Sequence, residues 1–400
     1  QERLRGAAIK KHREVFKTPS MKSSIIWGIT FVVIVSGLTP MLETKWEFSL
    51  SKGIGFSIIA LSMVLLTGYA GEINLAPLAF AGIGALSAYQ FDVGSTVETG
   101  AGFATLATAL SLFFAFLVLS AFGFKRRKLW ILSFSIALLT LLLVTIFDDT
   151  TGTGIASRES MSVSALLVAT LISGISGALV ALPALRLRGL YLGLATFAFA
   201  IFVDKMVYKQ RQTLSLDIPF IGDGEDITFN IFNNGALNMP RPEFLSINFK
   251  NNQSAMLILL AICFTLIALL LVHLKRSSYG RQLSAMKDSP AASATLGLNM
   301  LRLKLSVFTL AAAIAGFGGA LHASNLRAIQ EDAPFTVFEG LGLFMLTVVG
   351  GIGYVSGALI GGILYGTAFI VMGDFWAKLA SDWNSFNWLF TFLHDFFLFL

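Results

Sequence analysis

The sequence predicts an all-α, polytopic integral membrane protein. Of its 400 residues, 55% are hydrophobic and only 13% are charged, and the mean hydropathy is +0.76. Apolar runs long enough to cross the hydrocarbon core of a bilayer recur along the chain, and a soluble domain needs no such runs. We expect about 10–11 transmembrane or re-entrant helices, at roughly 20 residues for each full crossing.

These apolar runs are separated by short polar segments. Ten runs are complete and an eleventh is partial. They lie near residues 24–42, 50–67, 74–91, 103–124, 129–147, 163–182, 189–207, 255–274, 305–324 and 340–373, with the partial run at 386–400.

Charge alternates between successive connecting segments when the ten complete runs are threaded through a bilayer. Segments 1–23, 125–128, 186–188 and 275–304 hold 19 of the 29 Lys and Arg residues. The segments between them are acidic, most strongly at 217–226. Because positively charged loops stay on the cytoplasmic side, the first set is predicted to be cytoplasmic.

This topology divides the chain into two parts. Residues 1–23 form a basic cytoplasmic N-terminal segment or linker, and residues 24–400 form the transmembrane domain. Within that domain, 208–254 is predicted to be an external loop, whose Gly, Asn and Pro residues favour turns and a hairpin. Residues 275–304 are predicted to form a cytoplasmic loop.

The cytoplasmic loop contains the signals for a short helix. Ser289 can cap the first free amides, and Pro290 suits the first helical position because it has no amide to satisfy. Gly297 supplies a stop, which frames a helix at 290–296. A helix this short needs support from its surroundings or from a partner, so we interpret it as a docking element. The alternative is an ordinary basic connecting loop.

A first irregular stretch, LLTGYAGEINLAP, lies at the junction of two predicted spans. Glycines and a proline surround the polar residues Tyr69, Glu72 and Asn74, and Asn74 is placed to cap the segment that follows. Broken backbone at membrane depth requires protein or water around it. The stretch is therefore either a break that lines a transport pathway or a cytoplasmic turn between two spans.

A second irregular stretch, GLGLFMLTVVGGIGYVSGALIGGILYG, has glycines at four-residue spacing, which lets helices approach closely. We predict helix packing for these glycines. The cluster that begins at Gly350 and Gly351 is predicted to divide the run into a short re-entrant piece and a full span.

Several kinds of chemistry are not indicated. There is no GxxxxGK[ST] phosphate loop, and one cysteine and four scattered histidines predict no metal site. Few ionisable residues lie deep within the predicted spans, which argues against an ion-coupled carrier and against a membrane enzyme. We therefore expect the energy source to lie on another chain.

Four motifs together resemble the LivM-type permease subunit of branched-chain amino acid ABC importers. They come in the family's order and cover roughly residues 55–91, 175–205 and 275–370. The motifs are GYAGEINLAPLAFAGIGALSAY, LPALRLRGLYLGLATFAFA, YGRQLSAMKDSPAASATLGLNMLRLKLSVFTLAAAIAGFGGALHA and FMLTVVGGIGYVSGALIGGILYG.

The resemblance implies the ABC importer permease fold, alternating access, and a coupling helix that docks on a separate ATPase. The implied ATPase-coupling residues are Gly280, Arg281, Asp288, Ala291, Ala292 and Gly297. To these we add pathway-lining candidates: Tyr69, Glu72, Asn74, Gly350 and Gly351.

The implied assembly has several further components. ATP and Mg²⁺ act on the partner ATPase, and no cofactor is expected on this chain. A LivH-like second permease, separate or fused upstream, completes the pore, and an extracytoplasmic binding protein delivers the solute. Residues 1–22 are a candidate linker from an upstream permease half. The implied location is the inner membrane of a bacterium, in contact with lipid and not with nucleic acid.

The chain departs from the family pattern at three positions and in one region. Glu72 and Asn74 replace the usual glutamine and small hydroxyl residue, and Ser293 replaces an acidic residue after the paired alanines. Residues 125–162 look like an insertion. Within the class, urea or short amides are the alternative solutes. An ion-coupled amino acid carrier and a membrane scaffold without transport activity are the alternatives from other classes.

Overall fold

The protein is described by a computed structural model that covers residues 21–92, 133–135, 138, 160–161, 163–184, 187, 189–205, 236–244, 247–249, 252–330, 335–382, 392 and 396. Two predicted spans, near 103–124 and 129–147, lie outside the described residues except at a few positions. The same holds for most of segment 1–23, of the insertion and of the partial run at 386–400.

Helices dominate the described residues, which confirms the predicted all-α class. In chain order they are α1 Met21–Leu38, α2 Thr44–Met63, α3 Pro77–Asp92, α4 Val163–Ala184, α5 Leu190–Val203, α6 Gln253–Arg276, α7 Ser278–Asp288, α8 Pro290–Thr295, α9 Met300–Leu326, α10 Val337–Gly350 and α11 Val355–Asp382. A 3₁₀ turn, Thr39–Met41, follows α1, and a π-helical turn, Val64–Tyr69, continues α2.

Five of the described helical segments are long and apolar enough to cross a membrane, and shorter apolar helices accompany them. A helix can cross because all of its backbone polar groups bond within the segment. The predicted run at 340–373 is two helices, because α10 ends at Gly350 and Gly351 takes a left-handed backbone with φ +102°. This confirms the predicted break, while the re-entrant character of α10 stays a prediction.

The core is built around α2 and α9, whose helical residues are mostly buried. On one side α9 touches α3 and α4 closely. A Cβ on Gly84 would lie 2.3 Å from the carbonyl oxygen of Gly316, so only glycine permits this approach. The Ser173 hydroxyl joins the three helices, 2.9 Å from Phe80 O and 2.8 Å from Ala312 O.

On the other side α2 packs against α11 through the predicted glycine spacing. A Cβ on Gly366 would lie 2.4 Å from the Cα of Gly53, and one on Gly362 would lie 2.4 Å from the amide of Ser57. These contacts confirm that the glycines at four-residue spacing serve helix packing. Gly353 differs, since nothing lies within 4 Å of its Cβ position.

Short strands lie in the described segments between the helices. They are β1 Ser160–Met161, β2 Ala236–Asn238, β3 Arg241–Phe244, β4 Ile247–Asn248 and β5 Ala328–Gln330. β3 pairs antiparallel with β4, which confirms a hairpin inside the predicted external loop, and β2 pairs antiparallel with β5. β1 pairs parallel with β3.

The buried Arg241 ties this strand region to the helices. It donates to Phe249 O at 3.1 Å and to the side chain of Gln253, which in turn donates to Ser51 Oγ at 2.8 Å. Burial and the nearby Arg327 lower the pKa of Arg241 to about 10. The guanidinium therefore stays charged at neutral pH and holds the hairpin against α2 and α6.

Candidate functional site

The basic loop between α6 and α9 folds into two capped helices. The hydroxyl of Ser277 accepts a hydrogen bond from the amide of Gly280 at 3.3 Å, which starts α7. The hydroxyl of Ser289 accepts one from the amide of Ala292 at 3.3 Å, which starts α8 at the next residue. Beyond α8, Gly297 adopts φ +83°. The predicted short helix is confirmed, whereas α7 was not predicted.

α7 is amphipathic, and its inner face fixes the loop to the bundle. Tyr279, Leu283 and Met286 recur at helical spacing and are buried. The Tyr279 hydroxyl lies 2.6 Å from Ser306 Oγ, and Ser306 itself donates to Leu303 O at 2.9 Å. Tyr279 is therefore the donor of this pair, and burial raises its pKa above the ordinary value.

Most of the predicted coupling residues lie on the exposed side of α7 and α8. The exposed ones are Arg281, Asp288, Ala291, Ala292 and Gly297. Leu296 lies among them, is 81% exposed and was not one of the predicted coupling residues.

Two residues of the loop point away from this exposed side. Gly280 packs on the end of α6, where a Cβ would lie 2.3 Å from the carbonyl oxygen of Lys275. Any part that Gly280 plays in coupling therefore comes from positioning α7. Ser293, which replaces the acidic residue of the family pattern, is 2% exposed and therefore lies behind the exposed side of α8.

The break after α2 begins as a widened helical turn. The Ala70 amide donates to Leu65 O at 3.3 Å, the five-residue spacing of a π turn, which often marks a functional position. Gly71 follows with φ +75°, a backbone that favours glycine.

The break is then tied to two further helices. The Asn74 side chain accepts from the amide of Ala76 at 3.0 Å, just before α3 begins at Pro77. Asn74 was predicted to cap this helix; instead Ala76 O accepts the first helical bond, from Phe80, and Asn74 shapes the preceding turn. The amide of Leu75 donates to Thr196 Oγ1 on α5 at 3.0 Å.

Three lysines of the basic loop contact residues of this break. Lys287 Nζ donates to the Gly68 carbonyl oxygen at 2.8 Å. Lys304 Nζ lies 2.5 Å from Glu72 Oε1, with both side chains about seven-eighths buried. Together they join the start of α9 and the end of α7 to the backbone around Tyr69.

The third lysine acts through an aromatic ring. Lys275 Nζ lies 4.6 Å from the centroid of the Tyr69 ring and 5.7 Å from that of Tyr354. A cation over a ring face is attracted by the ring quadrupole. The predicted coupling loop and the predicted pathway break therefore form one connected unit, which we call the lysine junction: Lys275, Lys287 and Lys304 with residues 68–72.

The second irregular stretch meets the same unit. A Cβ on Gly68 would lie 2.3 Å from the carbonyl oxygen of Ile352, in the turn between α10 and α11. Gly350 in turn packs against Gly357, where a Cβ would lie 2.5 Å from the Gly357 carbonyl oxygen. The turn that follows Gly350 and Gly351 therefore lies against the break that contains Tyr69, Glu72 and Asn74.

A cavity of about 450 Å³ separates α8 from the break. It is lined by both partners of the ion pair and by residues of the short helix. Among the lining residues are Gly71, Glu72, Lys287, Pro290, Ala291 and Lys304. The cavity leaves α8 room to shift relative to the bundle, while Lys287 of α7 and Lys304 of α9 connect its neighbours to the break.

A buried histidine was not predicted as a functional residue. His322 on α9 is fully buried between Phe56 and Phe335, with ring centroids 4.2 Å and 6.2 Å away. Neither of its ring nitrogens has a hydrogen-bond partner among the described residues, and the same holds for Oε2 of Glu339. Lys52 is near enough to act electrostatically on both side chains.

His322 lies four residues before Leu326, where α9 ends, so the expectation that few ionisable residues lie deep in the spans stays a prediction. His322 sits inside a membrane-spanning helix, where such residues mark functional positions by default. The available signal was the histidine itself within the apolar run at 305–324. Among the described residues there is no group of side chains suited to hold a metal ion.

The sequence is similar to known proteins over much of its length. The family described as "Branched-chain amino acid transport system / permease component" matches residues 150–394. The LivM permease proteins of the high-affinity branched-chain amino acid transport systems of Salmonella typhimurium and Escherichia coli are each 27% identical over 207 residues, 46% of this chain. The match covers 45% of each relative, so this chain spans about half the length of these relatives. No solved structure matches the chain.

Proposed function

This chain belongs to the family of branched-chain amino acid transport system permease components, and from that membership we propose that it is the transmembrane subunit of an ATP-driven importer. The proposed solutes are branched-chain or related small apolar amino acids, since the names of the two relatives specify branched-chain amino acids. Urea and short amides are the alternative within the class. The proposed location is the inner membrane of a bacterium, with loop 275–304 in the cytoplasm.

The lysine junction is the observation that carries the proposal. An importer of this kind must convert movement of an ATPase into movement of transmembrane helices. The exposed side of α8, with Ala292 and Leu296, supplies a contact surface, and Lys287 and Lys304 connect its neighbours to Gly68 and Glu72. The chain runs directly from the break into α3, and the amide of Leu75 donates a hydrogen bond to Thr196 on α5.

The proposed mechanism follows from these connections. ATP and Mg²⁺ bind to a partner ATPase, whose closure pushes α8 toward the bundle. The cavity beside α8 gives it space to move, and the lysines pass the displacement to residues 68–72. A π turn and a left-handed glycine already interrupt the helix there, so the backbone can change direction without breaking a regular helix. The result is a switch between outward and inward access, with no covalent intermediate.

Purification with partners tests the proposal. The chain is extracted from its native membrane in mild detergent, and co-purifying chains are identified. We expect an ATPase with a phosphate loop, a second permease and, after reconstitution, ATP hydrolysis stimulated by a solute-loaded binding protein. Leucine competing for uptake where urea does not would support the amino acid assignment. Uptake without any ATPase present would contradict the importer.

The buried histidine of α9 favours a second candidate function. Ion-coupled carriers use histidines and carboxylates within the membrane as relays, and His322 on α9 and Glu339 on α10 are residues of these two types. This candidate predicts uptake into vesicles that is driven by an imposed ion gradient and is lost in His322→Leu. The importer predicts uptake that requires MgATP inside and survives collapse of the gradient, so the two energy sources separate the candidates.

A further inference from the structure

An apolar cavity of about 520 Å³ lies between α1, α6 and the start of α11, and Tyr69 of the helix break also lines it. Its walls are helical and largely hydrophobic, with Trp27 and Phe31 from α1 and Leu269 and Val272 from α6. At one end the Phe31 ring meets Phe264 edge-on, with 5.7 Å between the ring centroids. At the other end the lining changes to Lys275 and Arg276.

The length of this cavity matches one leaflet of a membrane. Its lining on α1 runs from Ser24 to Ile34, which is about 15 Å at 1.5 Å per residue. Its lining on α6 runs from Phe264 to Arg276, or about 18 Å. Half of the roughly 30 Å hydrocarbon core is close to both values.

The cationic end lies where a lipid headgroup would be. Lys275 and Arg276 close an apolar helix, α6, and begin the basic loop that positive-inside logic assigns to the cytoplasmic side. Basic pockets between transmembrane helices on that side suit anionic headgroups. α1, which forms one wall, is little buried along its length, as expected of a helix that faces lipid.

We propose that this cavity binds one acyl chain of an anionic phospholipid, with the phosphate held by Lys275 and Arg276. The inference uses the membrane placement of α1 and α6 and does not depend on the transport activity. It has a consequence for the lysine junction, because Lys275 also lies over the Tyr69 ring. A bound phosphate would compete with that ring for the ammonium and so bias the position of the break.

Lipid retention and thermal stabilisation test the proposal on the full chain with its co-purifying partners. Native mass spectrometry counts the phosphatidylglycerol that survives delipidation. Thermal unfolding compares added phosphatidylglycerol with phosphatidylcholine of the same acyl chains. We expect one tightly retained phosphatidylglycerol and a larger rise in melting temperature with the anionic lipid. Inorganic phosphate alone should give neither effect, because it cannot fill the apolar walls.

Three variants and a control make the test specific. Ala268→Phe and Ser356→Phe fill opposite walls, and either should lower lipid occupancy severalfold. Arg276→Gln should keep the acyl chain but lose the preference for the anionic lipid. Lys22→Gln removes a cation near the start of α1 that does not line the cavity, and it should behave like the unmodified chain. Unchanged retention in both filled variants would overturn the proposal, as would crosslinking of a partner chain to a cysteine placed at 268.

Discussion

Lys287 reaches 219 positions back along the chain to donate a hydrogen bond to the carbonyl oxygen of Gly68, at 2.8 Å. The stem of the same lysine covers Gly71, where a Cβ would lie 2.7 Å from Lys287 Cγ. One side chain thus fixes both the π turn and the left-handed residue that follows it. The basic loop and the helix break are therefore a single mechanical unit.

The first prediction concerns the charge pair. Glu72→Gln removes the ion pair with Lys304, which is largely buried, and leaves the ammonium with a weaker partner. We expect solute transported per ATP hydrolysed to fall severalfold while ATP hydrolysis continues. The measurement is uptake and phosphate release from the same proteoliposomes.

The exchange variant is the control for this pair. Glu72→Lys combined with Lys304→Glu restores opposite charges and should recover much of the coupling. If Glu72→Gln instead changes the KM for solute with coupling intact, Glu72 lines the pathway and its role in the junction is secondary.

The second prediction concerns Lys287. Lys287→Met keeps an apolar stem over Gly71 and removes the donor to the Gly68 carbonyl. Leaving a partly buried carbonyl without that donor should cost about 1–3 kcal/mol, seen as a lower melting temperature in detergent. Lys287→Arg retains a hydrogen-bond donor and should lower the melting temperature less. Equal melting temperatures for the Met variant and the unmodified chain would show that the hydrogen bond is not maintained in solution.

The third prediction concerns the exposed side of α8. Ala292→Asp places a charge where an ATPase is proposed to dock, without touching the bundle, since Ala292 is exposed. We expect normal insertion and melting temperature but loss of ATPase binding in pull-down experiments. Thr44→Asp adds the same charge at an exposed position at the start of α2, the end of that helix away from the break, and should bind as the unmodified chain does. Intact binding and coupling in Ala292→Asp would remove α8 from the docking surface.

The fourth prediction compares two glycines of the same stretch. Gly366→Ala places a Cβ 2.4 Å from the Cα of Gly53, so α2 and α11 must separate. Overpacking of this kind costs about 1–3 kcal/mol. Gly353→Ala meets nothing within 4 Å and should leave the melting temperature unchanged. A similar effect of both substitutions would contradict the close crossing of α2 and α11.

Much of the fold could be predicted because a membrane imposes strong rules on sequence. Span length, loop charge and glycine spacing located most of the described helices and their close crossings. The short helix α8 was predictable because its signals, Ser289 and Pro290, are local. α7 was missed because its apolar residues, Tyr279, Leu283 and Met286, are few and lie in a segment dominated by charge.

The junction itself could not be predicted from the sequence. Lys287 and Gly68 are distant in the chain, and nothing in either motif specifies the other. Glu72 looked like a departure from a family pattern, and only the fold shows that it faces Lys304. His322 was overlooked because a histidine within an apolar run gives no indication of whether its ring nitrogens find partners.

The connection between α7 and α8 is as short as one residue. Ser289 is the only residue between them, its amide donates to Ala285 O at 3.0 Å, and its hydroxyl accepts from Ala292. Because α7 and α8 share this one hydrogen-bonded residue, we expect a displacement of α8 to move α7 with it. Inserting one glycine next to Ser289 should leave both helices intact and weaken the coupling between their movements.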